Sequence, residues 1–257
     1  MENKKYSFTS PSRLKAGIIY VLMIFIGITV FSIIFSMIAA NSKGIDSNLV
    51  ASSFFDSNLV TDEIKECQLI GQSYGNLLAY LIAFAGIVLW QRNDLIDDFQ
   101  KIKEDKKLYA ILIPCFSIGF GGLSILIDYL FGKISDKSQN QSVIELILKT
   151  EAAIPMIFAT IILAPVVEEL IYRKSIFAVT KDISLPMAYI SSILLFSLPH
   201  MLSTSTSVGM WFLQLIPYML CGGMLCLIYH LSNYNIYVSI SAHMLNNLLA
   251  VIIVLRR

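Results

Sequence analysis

Long apolar stretches alternate with short polar ones along this chain, and within the apolar stretches there is no period-two pattern of the kind strands show. Seven runs, at 15–40, 70–90, 109–131, 152–180, 185–201, 210–231 and 236–255, approach or exceed the roughly 20 helical residues that cross a hydrocarbon core of about 30 Å. Backbone amides in lipid must be satisfied inside each segment unless a barrel closes, and no barrel pattern is present, so these runs are expected to be α-helices. A further stretch, "SVIELILKT" at 142–150, is amphipathic and leaves the count at seven or eight spans. The expected fold is therefore an all-α, polytopic transmembrane helix bundle.

Composition agrees: 56% of residues are hydrophobic and 14% charged, against about a quarter charged in soluble domains. The placement of Lys and Arg adds more than the net charge of +1 does. Lys4, Lys5, Arg13 and Lys15 precede the first run, and Arg92, Lys101, Lys103, Lys106 and Lys107 lie between the second and third. The 41–69 loop instead carries Asp46, Asp56, Asp62, Glu63 and Glu66 against Lys43 and Lys65. This bias expects a multi-pass protein of the cell membrane with a cytoplasmic N-terminus. Seven spans then leave Arg256 and Arg257 on the opposite side, which is a tension in the count. The first run is too long for a signal-peptide core, and Ile38 in "MIAANS" occupies a position that cleavage needs small, so it reads as a retained helix. Cys67, Cys115, Cys221 and Cys226 show no metal-ligand or paired spacing and read as packed thiols. Gly119, Gly121, Gly122, Gly222 and Gly223 read as sites of close helix approach. The bilayer is the expected partner, nucleic acid is not, and the sequence carries no signal for oligomeric state.

One stretch breaks the apolar pattern: "APVVEELIYRKSIF" at 164–177 sets Glu168, Glu169 and Arg173 inside a spanning run. A charge at the middle of such a helix costs on the order of 3 kcal/mol even on lenient insertion scales. Glu169 and Arg173, at i,i+4, share a helix face and are expected to pair. Glu168 points about 100° away and needs other company. Two more polar clusters qualify, "FSLPH" at 196–200 and "HMLNN" at 243–247, and His243 and Asn247 are again i,i+4. At about 1.5 Å per residue from the nearest turns, Glu168 lies roughly 20 Å deep, His200 roughly 25 Å, His243 roughly 12 Å and Asn247 roughly 18 Å. All four fall in one central slab, where a carboxylate, two imidazoles and an amide can converge. Asn76, Tyr80 and Gln214 could line a cavity, although polar glue between helices is the commoner role of such residues.

These three motifs, "EELIYR", "FSLPH" and "HMLNN", in this order and spacing, resemble those of the CPBP intramembrane endopeptidases, the CAAX prenyl protease and bacteriocin-processing family, also called Abi. The resemblance divides the chain into N-terminal transmembrane helices and loops at 1–149 and a peptidase core at 150–257. It implies a CAAX-protease-like bundle of about eight spans that hydrolyses a peptide bond of a bacterial peptide, leader or membrane-protein substrate. It further implies Glu168 as general base, His200 as a second group on the same water, His243 and Asn247 as donors to the oxyanion, and Glu169 with Arg173 as supports. The family commonly has glycine after the arginine; Lys174 here is expected to alter packing or to snorkel toward the headgroups. No cofactor is expected. One glutamate and two histidines are a zinc-compatible donor set, but the H-E-x-x-H signature is absent. Three other readings stand beside the enzyme: a buried ion-pair network, a non-catalytic scaffold or immunity protein, and a proton-coupled transporter, although no inverted repeat is evident.

Overall fold

The computed structural model describes residues 10–202 and 204–256. Lys4, Lys5 and Arg257, which entered the charge argument, lie outside the described residues. Among the described residues there is no strand. The chain forms α1 (Pro11–Ser42), α2 (Ser47–Ser52), α3 (Asp62–Trp90), α4 (Arg92–Glu104), α5 (Lys106–Phe131), α6 (Gln139–Ile147), α7 (Ala153–Lys181), α8 (Leu185–Met201), α9 (Val208–Leu231) and α10 (Ile236–Leu255). Short polar side chains set where the helices begin. Thr61, Asp105, Ser138, Ser184, Ser207 and Asn235 each accept a backbone N–H from the first turn that follows, as N-caps do.

Six helices, α1, α3, α5, α7, α9 and α10, are long and apolar enough to cross a membrane. The expected run at 185–201 forms α8, which is shorter, and its last turn, Leu198–Met201, tightens to 3₁₀ geometry at Pro199. The amphipathic stretch at 142–150 adds no span: α6 has nine residues, too few to cross about 30 Å. The start of α1 and the end of α10 lie at opposite ends of the bundle. Arg13 pairs with Asp94 of α4 at 2.7 Å, whereas Val251 and Val254 of α10 pack on Leu148, close to the groove shared by Lys43 and Glu151. Arg256 therefore sits away from Arg13.

The main core joins α1, α3, α7, α8, α9 and α10 through residues such as Ala83, Leu170, Phe177, Phe196 and Leu225. Large apolar side chains elsewhere, including Ile18, Ile111, Ile118, Ile190 and Phe212, are exposed at the rim of the bundle, where a bilayer supplies their solvent. Helix α7 is wound irregularly. It has π-helical turns at Ala159–Leu163 and Leu170–Phe177, with the short α-helical piece Ala164–Glu169 between them. Pro165 has no N–H and its ring crowds the preceding turn, which a wider turn relieves.

Close approach of α1 and α3 rests on Gly71 and Gly75, a G-x-x-x-G pair. A Cβ on Gly75 would stand 2.5 Å from the Ser32 hydroxyl and 2.6 Å from its backbone nitrogen, and one on Gly71 would strike Ser36. Of the glycines expected to do this work, Gly222 meets Phe196 at 2.9 Å and Gly121 meets the tip of Leu249 at 2.6 Å. Gly119 and Gly122 do not: each is exposed with nothing within 4 Å, so the close-packing expectation fails for them because they lie on the outward face of α5. Gly75→Leu is expected to destabilise the detergent-solubilised protein by about 1–3 kcal/mol through overpacking. Gly119→Leu should change stability by less than about 0.5 kcal/mol. Thermal unfolding of both variants checks the contrast.

Candidate active site

Helix α7 presents Glu168 and Glu169 on its regular piece and Arg173 on the wide turn that follows. Glu169 and Arg173 have no exposed surface. One Glu169 oxygen, Oε1, lies 3.0 Å from Arg173 Nη1 and 3.0 Å from His243 Nδ1, while Oε2 accepts from the Ser239 hydroxyl of α10. Arg173 Nη2 donates to the Gly222 carbonyl of α9 at 3.0 Å, and its guanidinium lies 4.7 Å from the centre of the Phe196 ring of α8. One buried ion pair thus ties together four helices.

Glu168, 5% exposed, belongs to a different set of contacts. Its Oε1 accepts from the Tyr80 hydroxyl of α3 at 3.0 Å, and its Oε2 is 3.9 Å from His243 Nε2. His243 therefore stands between the two glutamates, one ring nitrogen toward each. A carboxylate only accepts, so the nitrogen facing Glu169 carries a hydrogen, assigned from its partner, and this fixes the ring plane. A separation of 3.9 Å is too long for a direct hydrogen bond and suits two polar groups that share one water.

Asn247, one turn beyond His243, donates through Nδ2 to the Thr160 carbonyl of α7 at 2.8 Å, and its Oδ1 accepts from Asn246 at 3.3 Å. Asn246 in turn accepts from Ser124 of α5. His200 is the outlying member. Its ring stacks on Tyr218 (4.6 Å between centroids, 4° between planes) and meets the edge of Phe196 at 5.3 Å, and Phe196 meets His243 at 5.9 Å. The structure thus brings Glu168, Glu169, Arg173 and His243 into one cluster and sets Asn247 a turn away. It separates His200 from His243 by the Phe196 ring.

Residues 150–249 match the model of the Rce1-like family, described as type II CAAX prenyl endopeptidase Rce1-like. That segment is similar to the CAAX-protease family. No curated protein and no solved structure matched the chain. The described residues form an all-helical bundle that is CAAX-protease-like over the matched segment. The matched segment holds Glu168, Glu169, Arg173, His200, His243 and Asn247, whereas Tyr80 lies in α3, outside it.

The zinc-compatible set of one glutamate and two histidines, Glu168, His200 and His243, is not gathered around one point. Among the described residues no three His, Cys, Asp or Glu side chains are grouped to hold a metal ion. The reason is visible in Glu169, whose oxygens already serve Arg173, His243 and Ser239. The expectation for Lys174 is also overturned in part. It does not snorkel: it is 2% exposed, with Nζ 2.6 Å from Asp98 Oδ2 of α4. A buried ammonium here has a buried carboxylate to meet, and reaching for headgroups would take from Asp98 Oδ2 its ammonium partner.

Three contributors escaped the sequence reading. Tyr80, for which helix glue is the commoner expectation, donates its hydroxyl to Glu168. Ser239 had a legible signal, because Ser239, His243 and Asn247 repeat at i, i+4, i+8 on one face of α10. Tyr218, held at its hydroxyl by Ser138 at 2.6 Å, had none, since nothing local ties it to His200. Arg173→Met is expected to cost about 3–5 kcal/mol by leaving the buried Glu169 without its arginine. Ser239→Ala, which removes one of several donors, should cost about 1 kcal/mol. Thermal unfolding in a single detergent distinguishes the two.

Proposed function

We propose that the chain is an intramembrane endopeptidase in which Glu168 activates the attacking water. The observation that carries this reading is the imidazole of His243, fixed by Glu169 on one side and facing Glu168 across 3.9 Å on the other. An imidazolium at His243 makes the buried set of Glu168, Glu169, Arg173 and His243 electrically neutral, with two negative and two positive charges.

In the proposed reaction Glu168 Oε2 takes a proton from water as the water oxygen bonds to the scissile carbonyl carbon; His200, on the far side of the Phe196 ring, is left without a step. The carbonyl π electrons move to oxygen, and the resulting oxyanion accepts hydrogen bonds from His243 Nε2–H and the Asn247 amide. The tetrahedral species collapses, the C–N bond breaks, and the leaving amine takes the proton back from Glu168. Glu169 and Arg173 act through His243 and do not touch the reacting atoms. No step uses a metal, in keeping with the donor arrangement.

The substrate in this reading is a peptide, leader or membrane-protein segment. The Lys and Arg bias supports a cell-membrane protein whose Arg13 end faces the cytoplasm. Comparing the peptides of membranes and medium from cells expressing the parental or the Glu168→Gln protein should reveal termini that are missing in the variant. Identical patterns at equal protein levels would refute catalysis and leave a scaffold. With the peptide so found, Glu168→Gln should lower kcat by about 10²–10⁴ and His243→Ala by about 10²–10³. Chelators should leave turnover unchanged.

A further inference from the structure

Helix α4 follows α3 after a single residue and stops a single residue before α5, so it must run along the membrane surface between two spans. At about 100° per residue its 13 residues sort into three faces. One face, with Asp94, Leu95, Asp98, Lys101 and Ile102, is bound to the bundle. Asp94 pairs with Arg13, and the buried Asp98 holds Lys174 of α7 while accepting the Ile236 backbone N–H at the start of α10 at 3.0 Å. A second face, with Asn93, Asp97, Gln100 and Glu104, is polar or acidic and exposed.

The third face is built differently. Arg92, Ile96, Phe99 and Lys103 repeat at intervals of four, three and four residues and fall within an arc of about 60°. Ile96 is 55% exposed and Phe99 46%, and Lys103 Nζ lies 4.9 Å from the Phe99 ring centre. The arc carries two apolar side chains between two cations and no acid, although the helix has acids on both other faces. Apolar groups flanked by cations fit the boundary between acyl chains and anionic headgroups, where long basic side chains reach outward to phosphate.

We propose that α4 is an interfacial helix whose Arg92, Ile96, Phe99, Lys103 face binds anionic phospholipid. Ile96 and Phe99 enter the acyl boundary, and Arg92 and Lys103 pair with headgroup phosphates. The same rigid helix carries Asp98 on its inner side, so the lipid contact and the clamp on α7 and α10 are parts of one element. The cytoplasmic orientation proposed above would set this face in the leaflet that carries anionic lipid.

The test uses the full chain in nanodiscs, in a Cys115→Ser background because Cys115 is exposed. An environment-sensitive fluorophore is attached at Phe99→Cys or, for the acidic face, at Glu104→Cys. The label at 99 should be blue-shifted, shielded from aqueous iodide and quenched by brominated phosphatidylglycerol more than by brominated phosphatidylcholine, and the label at 104 should be open to iodide. Arg92→Gln and Lys103→Gln should each reduce the preference for phosphatidylglycerol about fivefold. If those variants do not fold, raising the salt concentration on the parental labelled protein should weaken the same preference. Equal iodide access at both positions, equal quenching by the two lipids, or energy transfer between labels at 99 on two copies of the chain would each overturn the proposal. None of these readouts needs proteolysis, so the outcome stands apart from that of the catalytic reading.

Discussion

The arrangement depends on one constraint: a carboxylate buried among apolar helices must be fully paired, and Glu169 is. Its partners come from its own helix through Arg173 and from α10 through Ser239 and His243, and Arg173 extends the connection to a carbonyl of α9. A buried ion pair of this kind rarely adds stability over apolar residues of the same volume. Stability alone therefore gives little reason for its presence. What it does supply is orientation: with Glu169 on Nδ1, the imidazole of His243 has one available plane, and that plane aims Nε2 at Glu168.

The same physics recurs toward the Arg13 end of the bundle, where Asp98 is 1% exposed and receives Lys174, Lys101 and the first backbone N–H of α10. Lys174 follows Arg173 directly, and Ile236 is two turns before His243 on one face of α10. Helices α7 and α10 are thus joined by polar contacts at three levels: Asp98 at one end, Glu169 in the middle, and Asn247 on the Thr160 carbonyl farther along. Sliding one helix along the other would break all three together, which makes the register of Glu168 against His243 a property of the pair of helices.

Much of this was readable from the chain because lipid enforces simple rules. Twenty apolar residues in a row have few alternatives to a helix, and an acid and an arginine four apart in such a run have few alternatives to each other. Comparing depths brought His243 to the level of Glu168. Other features left no local trace. The π-helical winding after Glu169 depends on packing beyond the chain's own pattern. Asp98 sits in a segment that read as basic surface, because its burial comes from Lys174 and α10, remote in sequence. The shortness of α8 follows from Pro199, but whether the chain continues helical past it is decided by Tyr218 and Phe196 against His200. Tyr80 shows the same limit: a tyrosine in a spanning helix reads as glue until its hydroxyl is seen on a glutamate.

Glu168 and His243 are each only 5% exposed, and the proposed hydrolysis needs water and a peptide to reach them. The two ends of the cluster differ in how firmly they are shut. Toward Arg13, the ion pairs and helix cap at Asp98 close the bundle with several charge-assisted contacts, each stronger than a neutral hydrogen bond. Toward the opposite end stand His200 and Asn247, both half-buried, with His200 backed by Tyr218 and Tyr218 held at its hydroxyl by Ser138, the cap of the short helix α6. A hydroxyl–hydroxyl contact is a far smaller barrier to motion than a buried ion pair. The buried charge-assisted contacts around Asp98 therefore hold the Arg13 end, and beside His200 the contacts are neutral, so movement there costs less.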